Sequence, residues 1–158
     1  MRRVIGLIGI VTLLWGARLP FGLEGGAGMR FQEGENAFSL YSGVLLKVYR
    51  NIYARTTFIE LGFSGGKNYL FLGTGDGFDL MLFFPNPGFN IYGFGSLWYI
   101  GGGGYSYGYA LSNFSVGGGL EFKIIGSPIK PYAEASFSLI SGNGSTSLFT
   151  IKGGVRVR

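Results

Sequence analysis

Eight carboxylates and thirteen Lys or Arg side chains carry most of the ionic chemistry open to this 158-residue chain, which contains neither His nor Cys. Without an imidazole or a thiol there is no His general base, thiolate nucleophile, disulfide, or His or Cys metal ligand, which excludes most hydrolase and metal sites. Five of the acids, Glu24, Glu60, Asp79, Glu121 and Glu134, fall on one side of runs that alternate like strands. Five cations, Arg30, Lys47, Lys123, Lys152 and Arg156, fall on the same side. Two facing carboxylates could do acid/base work of the glycosidase kind, but Glu121 and Glu134 stand on different runs and their separation is not fixed by the sequence. Five acids matched by five bases point instead to a structural network of paired, hydrogen-bonded charges. The functional alternative is a narrow path for ions or small solutes.

Other motifs carry less. Gly73-Thr-Gly-Asp-Gly77 is followed by Phe78 and no helical pattern, so it does not complete a dinucleotide fingerprint and reads as a bulge or turn. The longest glycine-rich connection, Gly101 to Tyr109, carries Tyr105, Tyr107 and Tyr109, a candidate surface-binding loop whose bland reading is a loop with interfacial tyrosines. No catalytic, metal or cofactor-binding residue emerges, and no cofactor is expected.

The elements that must position these charges keep a period of two over most of the chain. Alternation runs through 23–32, 37–47, 54–64, 68–84, 89–100, 112–124, 132–140 and 147–157. The apolar side includes Phe38, Leu40, Thr57, Ile59, Leu61, Tyr92, Phe94, Trp98, Phe122 and Phe149. The opposite side holds the charges, with Tyr41, Phe58, Tyr69 and Tyr132 and many Gly and Ser. Turn signals separate the runs, among them Tyr49-Arg50-Asn51, Pro85-Asn86-Pro87-Gly88 and Gly126-Ser127-Pro128. Thr74 to Gly77 reads either as part of one long strand or as a turn. Connections this short exclude the crossovers of a parallel sheet, so the pattern predicts eight antiparallel strands joined as hairpins.

Composition separates the tail from the body. Arg2 and Arg3 precede the uncharged run Val4 to Trp15 and the small pair Gly16-Ala17, a basic then apolar pattern that predicts a signal peptide over 1–22, cut between Arg18 and Leu23. The run is too short for a spanning helix, which needs about 20 residues. Without Arg2, Arg3 and Arg18 the balance falls from 13 minus 8 to 10 minus 8. No basic cluster remains in 23–158, and nucleic acid is not an expected partner.

Charged residues are only 13% of the chain while hydrophobic ones are 47% and Gly supplies 31 positions. A soluble barrel would clothe its polar side in Lys, Glu, Thr and Asn; here that side is glycine and serine with isolated charges. An apolar exterior around a small polar interior is what a transmembrane barrel requires, because closure leaves no unpaired edge in hydrocarbon. The predicted fold is therefore all-β, an eight-stranded antiparallel up-and-down transmembrane barrel over 23–158.

With its turn-and-strand segment Gly126-Ser-Pro-Ile-Lys-Pro-Tyr-Ala-Glu-Ala135 and its closing strand Phe149-Thr-Ile-Lys-Gly-Gly-Val-Arg-Val157, the chain resembles the small eight-stranded OmpA/OmpX-like outer-membrane barrels. The resemblance implies a Gram-negative-type outer membrane, outer-membrane lipid as surroundings and the barrel-assembly machinery as partner during biogenesis. The chain departs from the family in closing on Val157-Arg158 rather than an aromatic residue. Enzymes resembling this barrel class rely on a catalytic His, which is missing here, so a non-enzymatic structural or surface-binding role is expected. A porin-like narrow channel is the alternative, and a soluble secreted barrel holding an apolar ligand the third reading.

Overall fold

The computed structural model describes residues 20–32, 35–65, 67–72, 78–96, 112–141 and 145–158. All the regular structure among them is strand: β1 (Phe21–Gln32), β2 (Glu35–Tyr49), β3 (Ile52–Ser64), β4 (Lys67–Leu72), β5 (Phe78–Pro85), β6 (Phe89–Ser96), β7 (Ser112–Phe122), β8 (Ile129–Ser141) and β9 (Ser145–Val157). Apart from β4 and β5, which do not pair with each other, consecutive strands pair antiparallel, and β1 also pairs with β9, so the sheet closes on itself. Both β4 and β5 lie along β3, the first against its second half and the second against its first half. They are two parts of one wall position, and the ring has eight positions, as the alternation predicts.

The registers show where that prediction needs adjustment. Pairing along β3 passes from Ile59↔Leu72 to Thr56↔Phe78, so the fourth strand is not in continuous register across 73–77. Between β2 and β3 the register shifts at Ser42/Gly43, where Ser42 opposes Ile59 and Gly43 opposes Thr57, leaving Phe58 as the extra residue of a β-bulge. The first strand begins at Phe21, two residues before the boundary drawn at Leu23.

The faces are inverted relative to a water-soluble barrel. Among the described residues the buried set contains eight apolar side chains and fourteen polar or charged ones, whereas thirty large apolar side chains are exposed. Tyr41, Leu45, Met81, Phe83, Tyr92, Phe94 and Tyr132 form the apolar part of the interior. Outside, Phe31 lies beside Phe149 and Phe38 beside Phe63, in each case as directly paired residues of adjacent strands.

Three short turns, at 50–51, 86–88 and 123–128, lie at one end of the barrel together with Pro20 and Arg158. The Lys47 amide donates to the Pro20 carbonyl and the Arg158 amide to that of Pro128.

Candidate functional site

The interior is a network of charge threaded between aromatic rings. Arg55, from the part of β3 that precedes the bulge, donates through Nε to Asp79 Oδ2 at 2.6 Å. Its Nη1 donates to both carboxylate oxygens of Glu134, at 2.9 and 2.6 Å. β3 and β8 are four positions apart on the eight-position ring, so this last pair joins opposite walls. Arg156, fully buried, donates from Nε to Glu24 at 3.0 Å and from Nη2 to Glu134 and the Tyr92 hydroxyl, both at 3.1 Å. Its Nη1 stands 3.6 Å from Glu121. Tyr92 in turn donates to Glu134 at 2.8 Å.

Two further pairs flank this centre. Arg30 donates to Glu60 at 2.7 Å, and Arg158 donates through Nη2 to Glu121 at 2.6 Å, where Asn90 also donates at 2.8 Å. The hydroxyls of Tyr41 on β2 and Tyr132 on β8 meet across the lumen. Four of the cations also lie over rings: Arg156 Cζ is 3.7 Å from the Tyr132 centroid, Arg55 Cζ 4.5 Å from that of Phe94, Arg158 Cζ 4.4 Å from that of Phe83, and Lys152 Nζ 4.9 Å from that of Tyr41. An aromatic face is attractive to a cation that has left water behind, so the rings support charges that an aliphatic lining would not.

Glycine makes the room. A Cβ on Gly119 would stand 2.6 Å from the Tyr92 hydroxyl, and one on Gly117 would run into the Phe94 ring. On Gly43 a Cβ would meet the Glu24 carboxylate at 3.2 Å. Bulky β6 thus packs across from glycine-rich β7, large residue against small.

All five acids expected in the interior are there: Glu24, Glu60, Glu121 and Glu134 are buried and Asp79 is half-buried against Arg55. Of the cations, Arg30 and Arg156 are buried and Lys152 is half-buried beside Tyr41. Two expectations are corrected. Lys47 is exposed, because the interior at its end of the barrel is taken by Tyr53, Phe83 and Arg158, and an ammonium with a flexible stem keeps its hydration by extending past the rim. Lys123 lies just beyond β7 and donates to the backbone carbonyl of Asn86 in a turn, outside the network.

Arg55 and Arg158 take their places, so five acids still meet five cations. An uninterrupted count does not place Arg55 in the interior, because the bulge at Phe58 changes the phase of β3: Arg55 and Thr57 point inward before it and Glu60 after it. Thr57, expected on the apolar side, is therefore an interior residue, and Phe58 is half-buried at the bulge.

Phe38, Leu40, Ile59, Leu61, Phe122 and Phe149 are exposed on the exterior as expected. Phe94 is not. It is buried, with Tyr92, because β6 turns Phe89, Ile91, Gly93 and Gly95 outward and fills the space over Gly117 and Gly119 with its rings. Trp98, Tyr69, Tyr105, Tyr107 and Tyr109 lie outside the residues whose side chains are described. Among the described residues no group of three His, Cys, Asp or Glu side chains is placed to hold a metal ion.

A closed, eight-position antiparallel barrel with a polar interior and an apolar exterior is the architecture of small outer-membrane-type barrels. Neisserial surface protein A (NspA), known from a crystal structure, has a similar fold. The two superpose with a TM-score of 0.59 at 13% identity, over 87% of this chain and 96% of that one. No protein-family model and no curated protein matches the sequence.

Proposed function

We propose that the chain is a non-enzymatic integral outer-membrane barrel whose lumen is closed by its own side chains, with a structural, envelope-stabilising or surface-binding role. The observation that carries this reading is the contact of Arg55 with Glu134 between opposite walls, with Arg156 and Tyr92 on the same carboxylate. An eight-stranded cylinder is just wide enough for side chains to fill, and this filling is cross-linked rather than loose.

The exterior supports residence in a bilayer. Outward aromatic residues gather near the two strand ends, Phe31, Phe63, Phe114 and Phe149 on one side and Tyr49, Phe84, Phe89 and Phe122 on the other. Leu40, Leu61, Leu80, Leu120 and Ile151 lie between them. Two aromatic girdles around an aliphatic band match the interfaces and hydrocarbon core of a membrane, with Phe78 as the aromatic residue that falls within the band. The likeness to NspA supports the outer membrane of a Gram-negative-type bacterium as the compartment. Outer-membrane lipid is then the solvent of the exterior, and the barrel-assembly machinery the partner in insertion.

Planar-bilayer recording of the purified protein tests the plug. A closed lumen passes no steady current. Stable, reproducible single-channel steps would overturn this reading and establish a narrow channel.

A further inference from the structure

The turn between β7 and β8 holds an isoleucine wholly out of contact with the barrel. Ile125 is 101% exposed, and its neighbours Ile124 and Ile129 are 49% and 44% exposed. The turn is built rather than frayed. The Ser127 amide donates to the Ile124 carbonyl at 3.1 Å, the Ile129 amide to the Ser127 hydroxyl at 3.1 Å, and Gly126 supplies the left-handed φ of +75° that the reversal needs. Lysines bracket it, Lys123 before and Lys130 after.

The rest of this rim has the same character. Val48 and Tyr49 are 57% exposed, Lys47 and Arg50 are exposed, and the Arg50 guanidinium lies 5.2 Å from the Tyr49 ring centroid. Glu121, the nearest carboxylate in sequence to the β7–β8 turn, is fully buried and bonded to Arg158. Among the described residues the rim therefore carries four cations, Lys47 and Arg50 exposed and Lys123 and Lys130 half-buried, and no acidic side chain, interleaved with apolar side chains. Lys123 spends one donor on the Asn86 carbonyl and keeps two.

We propose that this rim is a lipid-binding foot. Ile124 and Ile125 enter the boundary between head groups and acyl chains of the adjoining leaflet, and Lys47, Arg50, Lys123 and Lys130 hold the phosphates of anionic phospholipids. An apolar side chain fixed at the tip of an ordered turn gains most where it leaves water, and basic residues at the same depth are drawn to a negatively charged leaflet. The inference rests on the membrane-spanning reading above.

The chain has no cysteine, so single cysteines at Ile125 and Leu61 can carry a fluorophore without background. The labelled barrels, refolded into vesicles, are quenched either with lipid brominated in its acyl chains or with aqueous iodide. The Leu61→Cys label reports the belt, and bromolipid should quench it. The Ile125→Cys label should also be quenched by bromolipid. That quenching should be about twofold or more stronger with brominated phosphatidylglycerol than with brominated phosphatidylcholine at equal fraction. The preference should vanish when Lys47, Arg50, Lys123 and Lys130 are all changed to Gln. Quenching of the Ile125 label by iodide alone, with the Leu61 label quenched by lipid, would place the turn in water and overturn the foot while leaving the membrane reading intact. Equal quenching by the two lipids would overturn anionic recognition. Failure of bromolipid to quench either label would overturn the membrane reading itself.

Discussion

Arg156→Met removes the guanidinium at the centre of the lumen and keeps an unbranched stem in its place. Three carboxylates lose a partner, but none is left alone. Glu134 keeps Arg55 at 2.6 Å, Glu121 keeps Arg158 at 2.6 Å, and Glu24 keeps Arg55 only at 3.8 Å. Breaking a buried pair by removing one partner costs about 3–5 kcal/mol when the survivor is stranded, so partial compensation puts the expected loss near the lower limit, about 3 kcal/mol. Loss of the guanidinium from the Tyr132 and Tyr92 rings acts in the same direction. Equilibrium urea unfolding of the barrel refolded into lipid vesicles, followed by circular dichroism, measures the difference. The geometry also ranks the second-site variants. Glu24, with the most distant remaining cation, is the most under-compensated, so Glu24→Gln should recover more stability in the Arg156→Met background than Glu121→Gln. A loss below about 1 kcal/mol, or recovery by Glu121→Gln in preference to Glu24→Gln, would refute the assignment of Arg156 as a buried hub.

Ile59→Lys puts an ammonium on the outer face at mid-strand and should lower the stability of the inserted barrel by about 2–4 kcal/mol in the same unfolding assay, whereas a barrel that buries this face in water-soluble form would not insert into vesicles at all. Gly119→Ala should cost about 1–3 kcal/mol, since the new methyl meets the Tyr92 hydroxyl and the Ala133 carbonyl, and Gly65→Ala, where no atom stands within 4 Å but φ is +53°, reports the backbone cost alone. On intact cells, cysteines at Gly66, Gly103 and Gly144 should react with an impermeant reagent and one at Asn86 should not, because Asn86 shares its rim with the other short turns and both described chain ends. Labelling at Asn86 alone would reverse the orientation.

The architecture was legible because alternation, turn residues and glycine content all constrain the same thing. Each run between turns predicts a strand, each short turn predicts an antiparallel neighbour, and a glycine-serine face opposite an aromatic-aliphatic one predicts closure with the polar side inside. The acids followed directly. Glu24, Glu121 and Glu134 lie on strands of unbroken phase, and Glu60 and Asp79 on the regular stretches that follow a break, so parity within each stretch places them. What parity cannot detect is a change of phase within a run. A bulge adds one residue to one strand, and the addition at Phe58 sends Arg55 and Thr57 to the side opposite from the one an uninterrupted count assigns.

The reversal of β6 has a different origin, and it bears on how such lumens are built. Counting apolar residues per face sends Tyr92 and Phe94 to lipid, because Tyr92, Phe94, Trp98 and Ile100 outweigh Ile91, Gly93, Gly95 and Leu97 in apolar area. That count assumes an interior hostile to rings. Here the interior holds four buried or nearly buried arginines, and rings suit them: Phe94 lies under Arg55, and Tyr92 lies under Arg156 while bonding to Glu134. The same two side chains would be interchangeable with many others on the lipid face, where any apolar residue serves. Inside, they must also fit against a partner strand lacking side chains, which β7 provides at Gly117 and Gly119. The sign that a ring belongs indoors is therefore a glycine directly across from it: Tyr92 pairs with Gly119 and Phe94 with Gly117. That pairing is readable once the hairpin register is known, and the residues of this lumen are specified by it rather than by hydrophobicity.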